Sequence, residues 1–94
     1  MSRHSHNFEV CARAVILNHG QILVCWHKVK KHYFFPGGHV EYSEEAKDAL
    51  QRELKEELAI KVKKISFIGV TENIYQEDGK PHHEINLVFS VFAD

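Results

Sequence analysis

Residues 36–60 read PGGHVEYSEEAKDALQRELKEELAI, and this stretch decides the fold. Pro36, Gly37 and Gly38 interrupt the apolar run before them, because proline removes a backbone donor and glycine opens conformations closed to other residues. Ser43 is a favoured helix N-cap type, and Glu44 and Glu45 follow it where the helix dipole welcomes negative charge. The spacing then predicts a helix to about Leu58. Ala46, Leu50, Leu54 and Leu58 recur every four residues and form one apolar stripe.

Upstream, Phe8 to Leu17 is rich in β-branched and aromatic residues and reads as a strand. Asn18-His19-Gly20-Gln21 has turn chemistry, and Ile22 to His27 reads as the returning strand of a hairpin. Ile16 with Leu17, and Leu23 with Val24, place apolar residues at odd and even positions, which predicts strands covered on both faces. Lys28 to His32 is a basic loop, followed by the short apolar run Tyr33-Phe34-Phe35. Downstream, Lys64 to Tyr75 reads as a strand, Glu77-Asp78-Gly79-Lys80 as a hairpin turn, and Glu84 to Phe92 as a strand with Ile85, Leu87, Phe89 and Val91 on one face. The pattern is a mixed sheet plus one helix, an α/β (α+β) class. No repeat or internal boundary divides it, so residues 1–94 read as one domain, with the polar, His-rich 1–7 expected to be disordered.

The chain has 94 residues, 44% of them apolar and 27% charged, ordinary values for a globular domain. No apolar run approaches the roughly 20 residues of a membrane span, and the N-terminus carries no apolar signal region. These features predict a cytoplasmic protein without membrane partners. Cys11 and Cys25 lie in apolar runs and are expected as buried free thiols. The net charge of −1 gives no reason to expect nucleic acid as a partner. The distribution is more telling: residues 41–57 hold seven acids and three bases.

Within that window stands Arg52-Glu53-Leu54-Lys55-Glu56-Glu57. At about 100° per residue, Glu57 lies near the apolar stripe, with Glu53 and Glu56 flanking it. Carboxylates one helical turn apart repel one another, and partial burial raises the cost. A hard divalent cation such as Mg²⁺ removes both problems. A solvated acidic face is the plainer reading of such a motif, but it gives no reason to set Glu57 beside Leu50 and Leu54. The diglycine upstream permits close approach of main chain to a ligand. Elsewhere the histidines lack zinc spacing. His4 and His6 lie in the tail, and His82 and His83 would point to opposite faces of a strand. Trp26, Tyr33, Phe34 and Tyr75 have the chemistry to stack on a base, with core packing as the default expectation.

The stretch from Gly38 to Ile60 resembles the Nudix box. That motif is Gly, five residues, Glu, seven residues, Arg-Glu, an aliphatic residue, any residue, Glu-Glu, any residue, Gly and an aliphatic residue. Here the matching positions are Gly38, Glu44, Arg52, Glu53, Leu54, Glu56, Glu57 and Ile60, within 23 of the 94 residues. Phe35-Pro36-Gly37 resembles the usual lead-in. The one departure is Ala59 where the motif has Gly. A left-handed cap there would cost alanine about 1 kcal/mol, an effect on stability rather than chemistry.

The resemblance implies a Nudix-type α/β/α sandwich and a metal-dependent hydrolase. Its substrate would be a nucleoside diphosphate linked to another group, such as a (d)NTP, ADP-ribose or a dinucleoside polyphosphate, and its cofactor Mg²⁺ or Mn²⁺. By the same resemblance, Glu53, Glu56, Glu57 and the Gly37 carbonyl would hold metal. Glu53, Arg52 and Glu44 would serve catalysis, with Glu77 or Glu84 as other candidates for general base. Gly38, His39 and Arg13 would meet substrate, although a surface position suits His39 and Arg13 as well. Members of the family usually continue with another strand and helix, so the C-terminal part of the usual domain is expected to be absent here. A fold ending at Asp94 would leave one sheet face and one edge open, which predicts self-association as in a homodimer. Two rivals stand beside the enzyme: a nucleotide-binding module without turnover, and an interaction domain with an acidic helix.

Overall fold

The computed structural model describes residues 8–93, so the expectation for residues 1–7 lies outside them. The first strand, β1 (Phe8–Asn18), turns back at His19-Gly20 into β2 (Gln21–Leu23). Both turn residues have positive φ, 52° and 76°, the two-residue geometry that matches strand twist. The returning segment then divides. Val24 ends β2, and β3 (Cys25–His27) pairs with β4 (His32–Phe34) as a separate two-stranded ribbon. One strand over Ile22–His27 was expected; the structure has two, because Trp26 pairs with Tyr33 and not with β1.

After Pro36 the short β5 (Gly37–His39) pairs antiparallel with β1, and the helix α1 (Ala46–Leu58) follows. Two long strands, β6 (Val62–Glu77) and β7 (Lys80–Ala93), are joined at Asp78-Gly79, again with positive φ at both residues. The main sheet has the order β2-β1-β7-β6. β1 and β7 run parallel and the remaining pairs antiparallel, so the sheet is mixed, as the sequence pattern predicts.

α1 lies on one face. Its stripe works as expected: Leu50 and Leu54 are buried against Ala12, Ala14 and Ile16 of β1 and Phe89 and Val91 of β7. Ala46, Leu58, Leu87 and Ile65 pack around that cluster. The other face is treated differently. There Leu17 and its partner Ile22 are 45% and 49% exposed, against the expectation of strands covered twice; Leu23, paired with Ile16 on the helix side, is also 38% exposed. Among the described residues the single helix covers one face, and the β3–β4 ribbon overhangs only part of the other.

Both helix ends depart from simple capping. Ser43 is not the N-cap: it sits at φ 67°, and the cap residue is Glu45, whose side chain makes no capping bond. The reason lies in Glu44, whose carboxylate is taken by Arg52 and by the Glu41 N–H, so residues 41–45 form their own turn before the helix. At the other end Ala59 adopts the left-handed cap conformation, φ 55° and ψ 31°. Its N–H donates to the Lys55 carbonyl, and the Ile60 N–H to the Leu54 carbonyl. Cys11 is buried and Cys25 half-buried; both are free thiols. Burial pushes the Cys11 thiol up to about 11, which makes it inert.

Candidate active site

β5 crosses β1 so closely that it tolerates no side chain at Gly37. A Cβ there would stand 2.0 Å from the Ala12 carbonyl oxygen, and φ is 140°. A Cβ on Gly38 would meet the Glu53 carboxylate carbon at 2.6 Å. Gly37 therefore lies tight against β1, and Gly38 rests directly on Glu53 at the acidic edge of α1.

Arg52 organises that edge. Its Nε donates to Glu44 Oε2 at 3.0 Å and its Nη2 to Glu44 Oε1 at 3.0 Å, a fork on one carboxylate. Nη1 donates to Glu53 Oε1 at 2.9 Å, and Nη2 also reaches the His39 carbonyl at 3.3 Å. Arg52 thus orients both Glu44 and Glu53. The Arg52 fork holds the Glu44 carboxyl below the usual carboxylate range, and the Glu41 backbone N–H adds to it.

Glu57 faces the opposite influence. It keeps access to solvent, but crowding by protein atoms pushes its carboxyl up, and the charge of Glu53 and a hydrogen bond with Glu53 push the same way. The Gly37 backbone and the Arg13 charge pull it partly back. Glu53 and Glu57 are therefore two acids in contact. The third acid expected beside them is elsewhere: the Glu56 side chain is 61% exposed, 4.0 Å from Arg52 Nη1. Among the described residues no three His, Cys, Asp or Glu side chains converge on one metal position. The structure joins Glu53, Glu57, Gly37 and Gly38, and leaves Glu56 outside.

Arg13 is not a plain surface residue. Its Nε donates to Asn86 Oδ1 at 3.4 Å and its Nη1 to the Phe35 carbonyl at 3.3 Å. Its Nη2 lies 3.8 Å from Glu84 Oε1. It lines a cleft of about 960 Å³ between the β3–β4 ribbon and the open sheet face. His27, Lys30, His32 and Tyr33 form the ribbon side; Asn73, Tyr75, Glu84 and Asn86 belong to the sheet side. Lys30 and Glu77 pair across the rim. His39 lies outside the cleft lining; its Nε2 pairs with Glu9 at 3.0 Å.

The default of core packing fails for the aromatic residues. Trp26 is 49% exposed, Tyr33 70% and Tyr75 36%, and Tyr33, Phe34 and Tyr75 line the cleft. Glu84 and Asn86 are buried polar residues of β7. The role of Asn86 escaped the sequence reading. Its signal was there: Glu84, Asn86 and Val88 alternate with the apolar face of Ile85, Leu87 and Phe89, so they share the sheet face opposite the helix. His82 and His83 do diverge, His82 to Glu9 and His83 to Glu72.

A family model described as NUDIX domain matches residues 7–94. Among solved structures, a MutT NUDIX hydrolase from Burkholderia pseudomallei is 26% identical with a TM-score of 0.81, covering 94% of this chain and 69% of that one. The mutator MutT protein from Bacillus halodurans is 22% identical with a TM-score of 0.75, covering 89% of this chain and 56% of that one. The C. elegans Ap4A hydrolase is 24% identical with a TM-score of 0.63, covering 92% and 70%. The chain thus spans somewhat over two thirds of the first and about half of the second.

Proposed function

The chain belongs to the NUDIX domain family, and from that premise we propose that it hydrolyses a phosphoanhydride bond in a nucleoside diphosphate linked to another group. The substrate class comprises (d)NTPs, ADP-ribose and dinucleoside polyphosphates. The observation that carries the reading is the contact of Glu53 with Glu57 beneath Gly37 and Gly38. Two adjoining carboxylates, one of them forced upward by crowding and by the other's charge, are a poor arrangement for the protein alone. They suit Mg²⁺ or Mn²⁺, since Mg²⁺ is commonly bound by one or two carboxylates together with waters and substrate phosphates. The residues present therefore fit the ion. Glu53 and Glu57 would hold it with the Gly37 carbonyl, and Glu56 would join by a side-chain turn from solvent. When bound, the ion neutralises phosphate charge and acidifies a water.

The chain's own residues do the rest. The attacking water forms a new P–O bond, the anhydride P–O bond breaks, and the leaving phosphate departs with the electron pair. Glu53 accepts the water's proton. Arg52 fixes Glu53 and Glu44 in place, so that the edge does not reorganise during the reaction. Gly38, lacking a side chain, lets phosphate approach the main chain, with His39 at its edge. Arg13 supplies positive charge between the carboxylate pair and the cleft, and the cleft receives the nucleoside. The reading includes a cytoplasmic setting and a homodimer; no described helix is long and apolar enough to cross a membrane.

The test is phosphate release from a nucleotide panel with Mg²⁺, Mn²⁺ or EDTA. Turnover with either metal and none with EDTA is the expected result. The outward position of Glu56 favours one rival, the nucleotide-binding module without catalysis. Metal-dependent binding with no turnover across the panel would select it.

A further inference from the structure

The hydrolytic reading leaves a buried carboxylate in the cleft unused. Glu84 is 7% exposed and Asn86 3%, and both line the cleft two residues apart on β7. Burying a carboxylate is costly unless its lone pairs are occupied. Among the described residues Glu84 accepts one side-chain hydrogen bond, from the Tyr75 hydroxyl at 3.3 Å, and has Arg13 at 3.8 Å. A carboxylate offers about four acceptor sites, so capacity remains. Asn86 is oriented by Arg13: its oxygen takes the Arg13 Nε–H, which leaves the amide nitrogen as the donor. An acceptor-only group and an amide donor thus stand side by side in the cleft, with Tyr33, Phe34 and Tyr75 in its lining.

We propose that Glu84 and Asn86 read the edge of a guanine-type base. Two adjacent N–H donors of the base go to Glu84, and the neighbouring carbonyl accepts from the Asn86 amide. This rests on the reading that the cleft receives the nucleoside. Among the common bases only guanine sets two adjacent N–H groups beside a carbonyl. Adenine and cytosine each offer one amine next to a ring nitrogen lone pair, which a carboxylate repels. Uracil and thymine offer one N–H between two carbonyls. The aromatic lining accepts any base and does not discriminate.

The test is the Kd of GMP, IMP and AMP for the whole chain, measured by calorimetry without divalent metal. IMP keeps the ring N–H and carbonyl but lacks the amine. The expected order is GMP, then IMP, then AMP, with GMP at least roughly tenfold tighter than AMP, the scale of an unmatched donor at a buried acceptor. Glu84→Gln should remove that preference. Should the variant fail to fold, the wild-type series still decides. Equal affinities, an AMP preference or no binding at all would overturn the proposal. Because these monophosphates are not hydrolysed, failure here leaves the hydrolase reading intact, and loss of turnover leaves this one intact.

Discussion

Glu44 and Glu57 stand at opposite ends of one acidic edge, and the protein treats them in opposite ways. Glu44 receives a forked guanidinium and a backbone N–H, and its carboxyl is held down. Glu57 receives crowding and the charge of Glu53, and its carboxyl is pushed up. Glu53 belongs to both, bonded to Arg52 on one side and pressing its charge on Glu57 on the other. The difference teaches that the Arg52 corner is electrostatically complete and the Glu57 corner is not. On the proposed reading, the unfinished corner is the one a cation would complete.

The largest effect should come from breaking the incomplete corner. Glu57→Gln and Glu53→Gln are each expected to lower turnover by at least roughly a hundredfold in a phosphate-release assay, the scale of losing positioned electrostatic or acid–base help. Near-normal turnover in both would end the account. Breaking the complete corner should cost less. Arg52→Lys keeps the charge but loses the fork on Glu44, and a fall in kcat of roughly tenfold is expected, with KM little changed. A KM effect alone would show that Arg52 binds substrate rather than orienting Glu53.

A smaller effect concerns the frame that holds both corners. Ala59→Gly should relieve a left-handed alanine and stabilise the fold by about 1 kcal/mol, a rise in Tm of roughly 4–8 °C for a domain this size. Turnover should stay within about twofold. A change of orders of magnitude in turnover without a stability gain would contradict the purely structural role of this position.

The smallest concerns Glu9, which joins β1 to the diglycine strand. Hydrogen bonds from His39 and then His82 hold its carboxyl below the ordinary value of 4.5. A lowered folded pKa favours the ionised form in the fold, so its stability is present above 4.5 and lost as pH falls through the lower folded value. Thermal melts from pH 6 downward should show an acid loss in the wild type that Glu9→Gln reduces. An unchanged acid limb would remove Glu9 from that role.

These contrasts also show what was legible in the sequence. The helix stripe and the diglycine followed from period and local composition, because each depends on neighbours one turn or one strand away. Ser43 misled, since local propensity says nothing of a guanidinium eight residues on that claims Glu44. For Glu56, helix spacing places the Cβ atom, while the carboxylate's direction depends on what attracts it. The cleft was invisible. It arises from the β3–β4 ribbon folding over the sheet, and nothing local to Trp26 or Tyr33 distinguishes packing in a core from lining a groove. Leu17, Leu23 and Val24 read as covered for the same reason, since apolar runs report affinity for cover and not its presence.

Manganese binding measures the central claim most directly. Titration of Mn²⁺ into the wild-type chain, followed by loss of its free-ion magnetic resonance signal, should show a site that Glu57→Gln weakens at least roughly tenfold, the scale of one lost ligand or its support. Absence of binding, or equal affinity in the variant, would contradict it.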